Sequence, residues 1–193
     1  QGLYDLDLTT GAAAVNAQYV EMLGYDPATF RESNAAWLAR LHPDDLEGTQ
    51  RAFRDYVTGA APEYRVEFRQ RTREGEWKWL LSVGRIVSWS DDGQPSRMVG
   101  THTDISAIKS TQAELAHLRA RAETMLALPA AAECRDDAAF LQYGLDQIER
   151  LTGSRIAFLH FVDEAAETIE LVAWSSETLR TACKAAFDRH YPI

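Results

Sequence analysis

Between residues 64 and 105 the chain alternates apolar and polar side chains in three runs separated by two tight turns. Tyr64, Val66 and Phe68 interleave with Arg65, Glu67 and Arg69; Arg73-Glu74-Gly75 leads into a long run from Trp77 to Trp89; Asp91-Asp92-Gly93 leads into Met98 to Ile105. A period of two with turn residues at these intervals predicts a three-stranded antiparallel meander. Upstream, LYDLDL at 3–8, the Thr9-Thr10-Gly11 turn and Ala12 to Val15 predict a hairpin. Between hairpin and meander the pattern is helical. Asn16 caps a helix through Leu23, with Gly24 at the left-handed position after it. A broken helical stretch runs from Ser33 to Leu41, and His42-Pro43-Asp44-Asp45 opens a longer helix carrying Leu46, Phe53, Tyr56 and Val57 on one face. The expectation is an α+β domain with one five-stranded antiparallel sheet and its helices on one face.

After Ile105 the period changes again. Ile108, Thr111, Leu115, Leu118, Ala122 and Met125 follow the a/d spacing of a short coiled coil, which Leu128-Pro129 is expected to end. A helix from about Asp136 to Leu151, strands at 155–162 and 168–175, and a last helix from about Glu177 to Asp188 complete the reading. Two strands cannot close a sheet of their own, and the chain, running from Gln1 to Ile193, is expected to be a piece of a longer protein.

Composition narrows the function. With 20 basic against 29 acidic residues and a net charge of −9, the chain lacks the basic footprint of a nucleic-acid binder. No apolar run approaches the roughly 20 residues of a membrane span. Cys134 and Cys183 are too few for a disulfide framework, so a reducing, cytoplasmic setting is expected.

Residues 2–109 resemble a PAS domain with its PAC segment. The motifs that carry the resemblance are LYDLDLTTG, YVEMLGYDP, HPDD at 42–45, REGEWKWLLSVGRIV at 73–87 and DDGQPSRMVGTHTDIS at 91–106. Residues from about 124 to 193 resemble the first half of a GAF domain. The division is therefore a PAS/PAC domain over 1–106, a signalling helix over 107–127 and a truncated GAF-like region over 128–193. The resemblance implies a sensory input and dimerisation module from a bacterial signal-transduction protein. Its output domain, a histidine kinase or a cyclic-di-GMP enzyme, would lie elsewhere in the same chain. A ligand-free PAS dimerisation scaffold is the alternative. The terminal triplet Asp104-Ile105-Ser106, with Ser where the family more often has Thr, lies where the sheet hands over to the output helix and marks the signal relay.

Several side chains could instead suggest an active site. His102-Thr103-Asp104 has H-x-D spacing, but no second His is placed by a motif and no metal is expected. His117 stands beside Leu118 in the heptads and reads as a solvated face. A flavin–cysteine adduct needs a pocket cysteine, and residues 1–133 contain none. His42 belongs to turn and cap chemistry rather than to a haem, and Cys183 lacks the neighbouring His of a bilin site. The pairs Asp44-Asp45, Asp91-Asp92 and Asp136-Asp137 fall at helix starts or in a turn. No phosphate loop or nucleophile elbow is present. Catalytic residues and cofactors are not expected, while an unknown small-molecule ligand is compatible with a cavity between sheet and helices.

Strand parity and helix face nominate Tyr19, Phe53, Phe68, Leu81, Met98 and His102 for that cavity. Ile108, Leu115, Leu118 and Met125 are nominated for a homodimeric helix pair. The strand running directly into the heptad helix offers a physical route from sheet to helix.

Overall fold

The computed structural model describes residues 1–163, 168–181 and 190–192. They form two units, Gln1–Thr111 and Gln112–Ile193. In the first, the period-two runs become β1 (Gly2–Asp7), β2 (Ala12–Val15), β4 (Tyr64–Arg71), β5 (Trp77–Trp89) and β6 (Pro95–Asp104). A two-residue strand, β3 (Glu32–Ser33), pairs with Ala12 and Ala13, so the sheet has six strands rather than the expected five. Two residues carry no periodicity, which is why the sequence did not reveal it. The strand order is β3-β2-β1-β6-β5-β4, with every pair antiparallel. The first long strand therefore lies beside the last, and Tyr4 comes opposite Gly100 while Gly2 comes opposite His102.

The helices between β2 and β4 are short, and the first two are capped by side chains. In α1 (Ala17–Met22) Asn16 Oδ1 accepts from the Tyr19 amide at 3.0 Å, and in α2 (Asn34–Arg40) Ser33 Oγ accepts from the Ala36 amide at 3.1 Å. Each bond satisfies an amide that the first helical turn leaves unpaired. The HPDD stretch forms a single 3₁₀ turn over Pro43–Asp45 and leads into α3 (Leu46–Val57). The buried core joins Tyr19 and Val20 of α1, and Leu23 just after it, with Leu41, Phe68 and Leu80.

The helix that follows, α4 (Ser106–Glu133), is longer than expected because Pro129 lies inside it. Proline removes the amide that would bond the carbonyl four residues earlier, at a cost of about 3 kcal/mol. The Ala130-Ala131-Ala132 run continues the helix, and Ala131 is buried.

In the second unit, α5 (Asp137–Thr152) starts at the Asp136 cap and ends at Gly153, whose φ of 66° is left-handed. β7 (Phe158–Asp163), β8 (Thr168–Trp174) and β9 (His190–Pro192) form a sheet in that order. The third strand corrects the two-stranded expectation. Residues 190–192 have no alternation to read, and only their antiparallel pairing with residues 168–170 defines them as a strand. α6 (Ser176–Thr181) begins the expected last helix; the rest of that expectation, with Cys183, lies outside the described residues.

Candidate ligand cavity and relay junction

The inner face of the first sheet and the three short helices enclose a cavity of about 360 Å³. Strand alternation directs residues 98, 100 and 102 of β6 to one face, together with residues 80, 82 and 84 of β5, with which they are paired across the ladder at 102–82 and 100–84. Gly84 and Gly100 face each other, and Tyr4 lies across both. A Cβ on Gly84 would collide with the Tyr4 hydroxyl and come within 2.7 Å of Met98 Cε, and one on Gly100 would run into the Val83 carbonyl and the Tyr4 ring. Two glycines thus make room for an aromatic ring in the cavity wall.

His102 is the least ordinary member of that wall. It is 4% exposed, its ring lies 4.9 Å from Tyr4, 5.2 Å from Tyr19 and 5.4 Å from Phe68, and its Nδ1 is buried without a hydrogen-bond partner among the described residues. Burial pushes the imidazole pKa down to about 3, so the ring is neutral at physiological pH. Tyr4 is half-buried, and loss of hydration around its hydroxyl pushes the phenol up to about 12.

A buried ion pair forms another part of the wall. Tyr19 Oη donates to Glu32 Oε2 at 2.7 Å, Arg40 Nη2 donates to the same oxygen, and the Ser33 amide donates to Glu32 Oε1 at 3.0 Å. The Glu32 side chain is 3% exposed, and the Arg40 guanidinium lies 5.2 Å from the Phe30 ring centre. Burial, then the neighbouring carboxylate, push the Tyr19 phenol far up.

The strand that carries His102 ends two residues later at a junction of charges and backbone bonds. Lys78 Nζ donates to the Met22 carbonyl at 2.8 Å and pairs with Asp104 Oδ2 at 3.1 Å. Asp104 Oδ1 accepts from the Ser106 amide at 2.9 Å, Ser106 Oγ accepts from the Trp79 amide at 3.1 Å, and the Ile105 amide donates to the Trp79 carbonyl at 3.0 Å. Ile105 is buried. Partial burial opposes ionisation of Asp104, but the Ser106 donors and Lys78 outweigh it and hold the carboxyl below the usual range. One turn into α4, Lys109 pairs with Glu67 and lies 4.9 Å from the Trp79 ring centre.

Residues 12–102 match the family model described as the PAS fold. The first unit is a PAS fold domain. Among solved structures, the chain is 29% identical to a sensory box histidine kinase/response regulator from Burkholderia thailandensis E264, with a TM-score of 0.56 over 64% of this chain and 90% of that one. It is 22% identical to the N-terminal domain of a diguanylate cyclase with PAS/PAC sensor from Marinobacter aquaeolei, with a TM-score of 0.47 over 56% and 99% of the two chains. A LOV domain from the blue-light activated histidine kinase of Erythrobacter litoralis EL346 is 18% identical, with a TM-score of 0.42 over 54% and 95%. No curated protein matches the chain.

Within the PAS domain, Tyr19, Phe53, Met98 and His102 lie on the cavity wall. Phe68 is fully buried in the packed core beside His102 instead, edge-on to Trp37. Leu81 corrects the sequence reading: it pairs with Glu67 and Thr103, whereas Leu80, Ser82 and Gly84 are the buried residues of β5. Trp77, Trp79, Leu81 and Val83 make one face of β5 as apolar as the other, so alternation alone could not tell inside from outside. Sequence reasoning also missed Tyr4, Glu32, Trp37 and Lys78. Glu32 and Trp37 sit in stretches without periodicity. Tyr4 had a readable signal in the two glycines it crosses, and Lys78 in its alternation with three tryptophan and leucine neighbours. The nominated helix residues Ile108, Leu115, Leu118 and Met125 are all exposed on α4, as is Cys134 just after it. Among the described residues no helix is long and apolar enough to cross a membrane.

Proposed function

We propose that the PAS domain is the sensory input module of a signal-transduction protein. A small molecule enters the cavity, and occupancy is relayed through Asp104-Ile105-Ser106 into α4. The observation that carries this reading is the placement of a buried His102, whose Nδ1 has no hydrogen-bond partner among the described residues, two residues before the Asp104 junction on one strand. A change at the cavity wall then has a continuous covalent and hydrogen-bonded route to the first turn of the helix. The Burkholderia relative, described as a sensory box histidine kinase/response regulator, supports the same class.

In this reading the domain has no catalytic role. The output is a histidine kinase or a cyclic-di-GMP enzyme of the same chain in the cytoplasm, and residues 128–193 are the start of a GAF-like domain. The exposed α4 residues, with Leu115 at 65% and Met125 at 61% exposure, favour pairing with a second copy. The same exposure supports the alternative of a ligand-free dimerisation scaffold. Native mass spectrometry of freshly purified protein separates the two. A retained small molecule supports sensing, and a cavity-empty dimer that takes up no small molecule contradicts it.

A further inference from the structure

The cavity wall also constrains what the ligand is. Tyr4, Tyr19, Trp37, Phe53 and Tyr64 contribute five aromatic rings to the lining. At about 360 Å³ the cavity is at the lower end of the roughly 300–1,000 Å³ typical of ligand pockets, room for about one ring with a short substituent. Its buried carboxylate is already committed, since Glu32 receives Arg40, the Tyr19 hydroxyl and the Ser33 amide. The inner wall therefore presents no uncompensated charge, and an ion would lose its hydration there without a counter-ion. Arg54 lines the cavity too, but its side chain is exposed.

Two polar groups of lining residues remain unexplained. His102 Nδ1 and Trp37 Nε1 are both buried without a partner among the described residues. Buried polar atoms are paired in the large majority of cases, and an orphan calls for a bound water or ligand. The Nδ1 of a neutral imidazole donates in one tautomer and accepts in the other, and a hydroxyl group, itself both donor and acceptor, meets either.

Resting on the sensory reading of this cavity, we propose that its ligand is an uncharged, single-ring aromatic alcohol of the phenol class, and that His102 reads the hydroxyl. The aromatic walls hold the ring, and the histidine distinguishes a hydroxylated ring from a plain hydrocarbon of the same shape.

Calorimetric titration of the full chain with 4-ethylphenol, ethylbenzene and 4-hydroxyphenylacetate tests this. The expected order is 4-ethylphenol tightest, by roughly three- to tenfold over ethylbenzene for one net hydrogen bond, and the anion weakest. His102→Phe keeps an aromatic ring in place and should erase the preference for the phenol while leaving ethylbenzene binding; His102→Gln, which retains a donor and an acceptor, should restore part of it. Should His102→Phe fail to fold, the wild-type comparison of phenol with hydrocarbon still decides. Equal binding of those two probes would overturn the role of His102 and leave the cavity reading intact. Tighter binding of the anion would overturn the uncharged class and implicate Arg54. If none of the three bound, the phenol class would fall, while the sensory reading would still be decided by whether the purified protein retains or takes up another small molecule.

Discussion

Lys78 Nζ lies 3.1 Å from Asp104 Oδ2 and also donates to the Met22 carbonyl at 2.8 Å, so one ammonium ties the end of α1 to the residue from which α4 departs. Asp104 in turn caps the first turn of α4 through the Ser106 amide. A helix that packs against the cavity and a helix that leaves the domain thus share one side chain.

Replacing Asp104 by Ala removes the ion pair and the cap together. Both partners are about one-third exposed, and such pairs contribute about 0.2–1 kcal/mol, with the lost cap adding about 1 kcal/mol. Chemical denaturation should therefore show a loss of about 1–2 kcal/mol with the fold retained. In the full-length protein the same change is expected to uncouple signal from output; intact regulation would exclude Asp104 from the relay.

The buried imidazole gives a second expectation. His102 has a folded pKa of about 3 against an ordinary 6.5, so between those values the unfolded chain binds the proton and the folded one does not. Stability therefore falls as the pH drops below 6.5, by about 2 kcal/mol between pH 7 and pH 5 from this group. His102→Phe should flatten that part of the profile. Asp104 acts at lower pH: its carboxyl is held below 3.8, so its contribution persists above that value and is lost as the pH falls through the folded one.

The glycine slot offers a third test. Gly84→Ala should destabilise by about 1–3 kcal/mol through overpacking, because the new methyl meets the Tyr4 hydroxyl first and Met98 next. In a Tyr4→Phe background the first obstacle is gone, and the loss should shrink. A double-mutant cycle with zero interaction energy would mean that Tyr4 does not occupy the slot.

Much of the PAS domain was legible because its strands and caps depend on local signals. Alternation at Tyr64 to Phe68, glycine at turns and Asn16 before an apolar helix each specify backbone geometry within a few residues. The cavity depended on relations that local signals do not carry. Leu81 was misplaced because both faces of β5 are apolar, and Glu32 was invisible because its partners, Tyr19 and Arg40, are distant in sequence and close only in the fold. Pro129 was read as a helix end because its local penalty was weighed without the alanines that follow. Asp104-Ile105-Ser106 was singled out through resemblance, yet Lys78, which pairs with Asp104, was not.

For α4, Leu115→Glu with Leu118→Glu should convert a dimer to a monomer in sedimentation velocity while the helix content stays unchanged, since both side chains are exposed in the single chain. A dimer that survives both changes would remove the heptad seam as its basis.

Hydrogen exchange at the start of α4 reports directly on a relay from cavity to helix. Amides from 106 to 112 should change their exchange rates when 4-ethylphenol saturates the cavity of the wild-type protein, and should not respond in Asp104→Ala with the ligand equally bound. Identical exchange in the free and saturated wild-type protein would contradict a relay from cavity to helix.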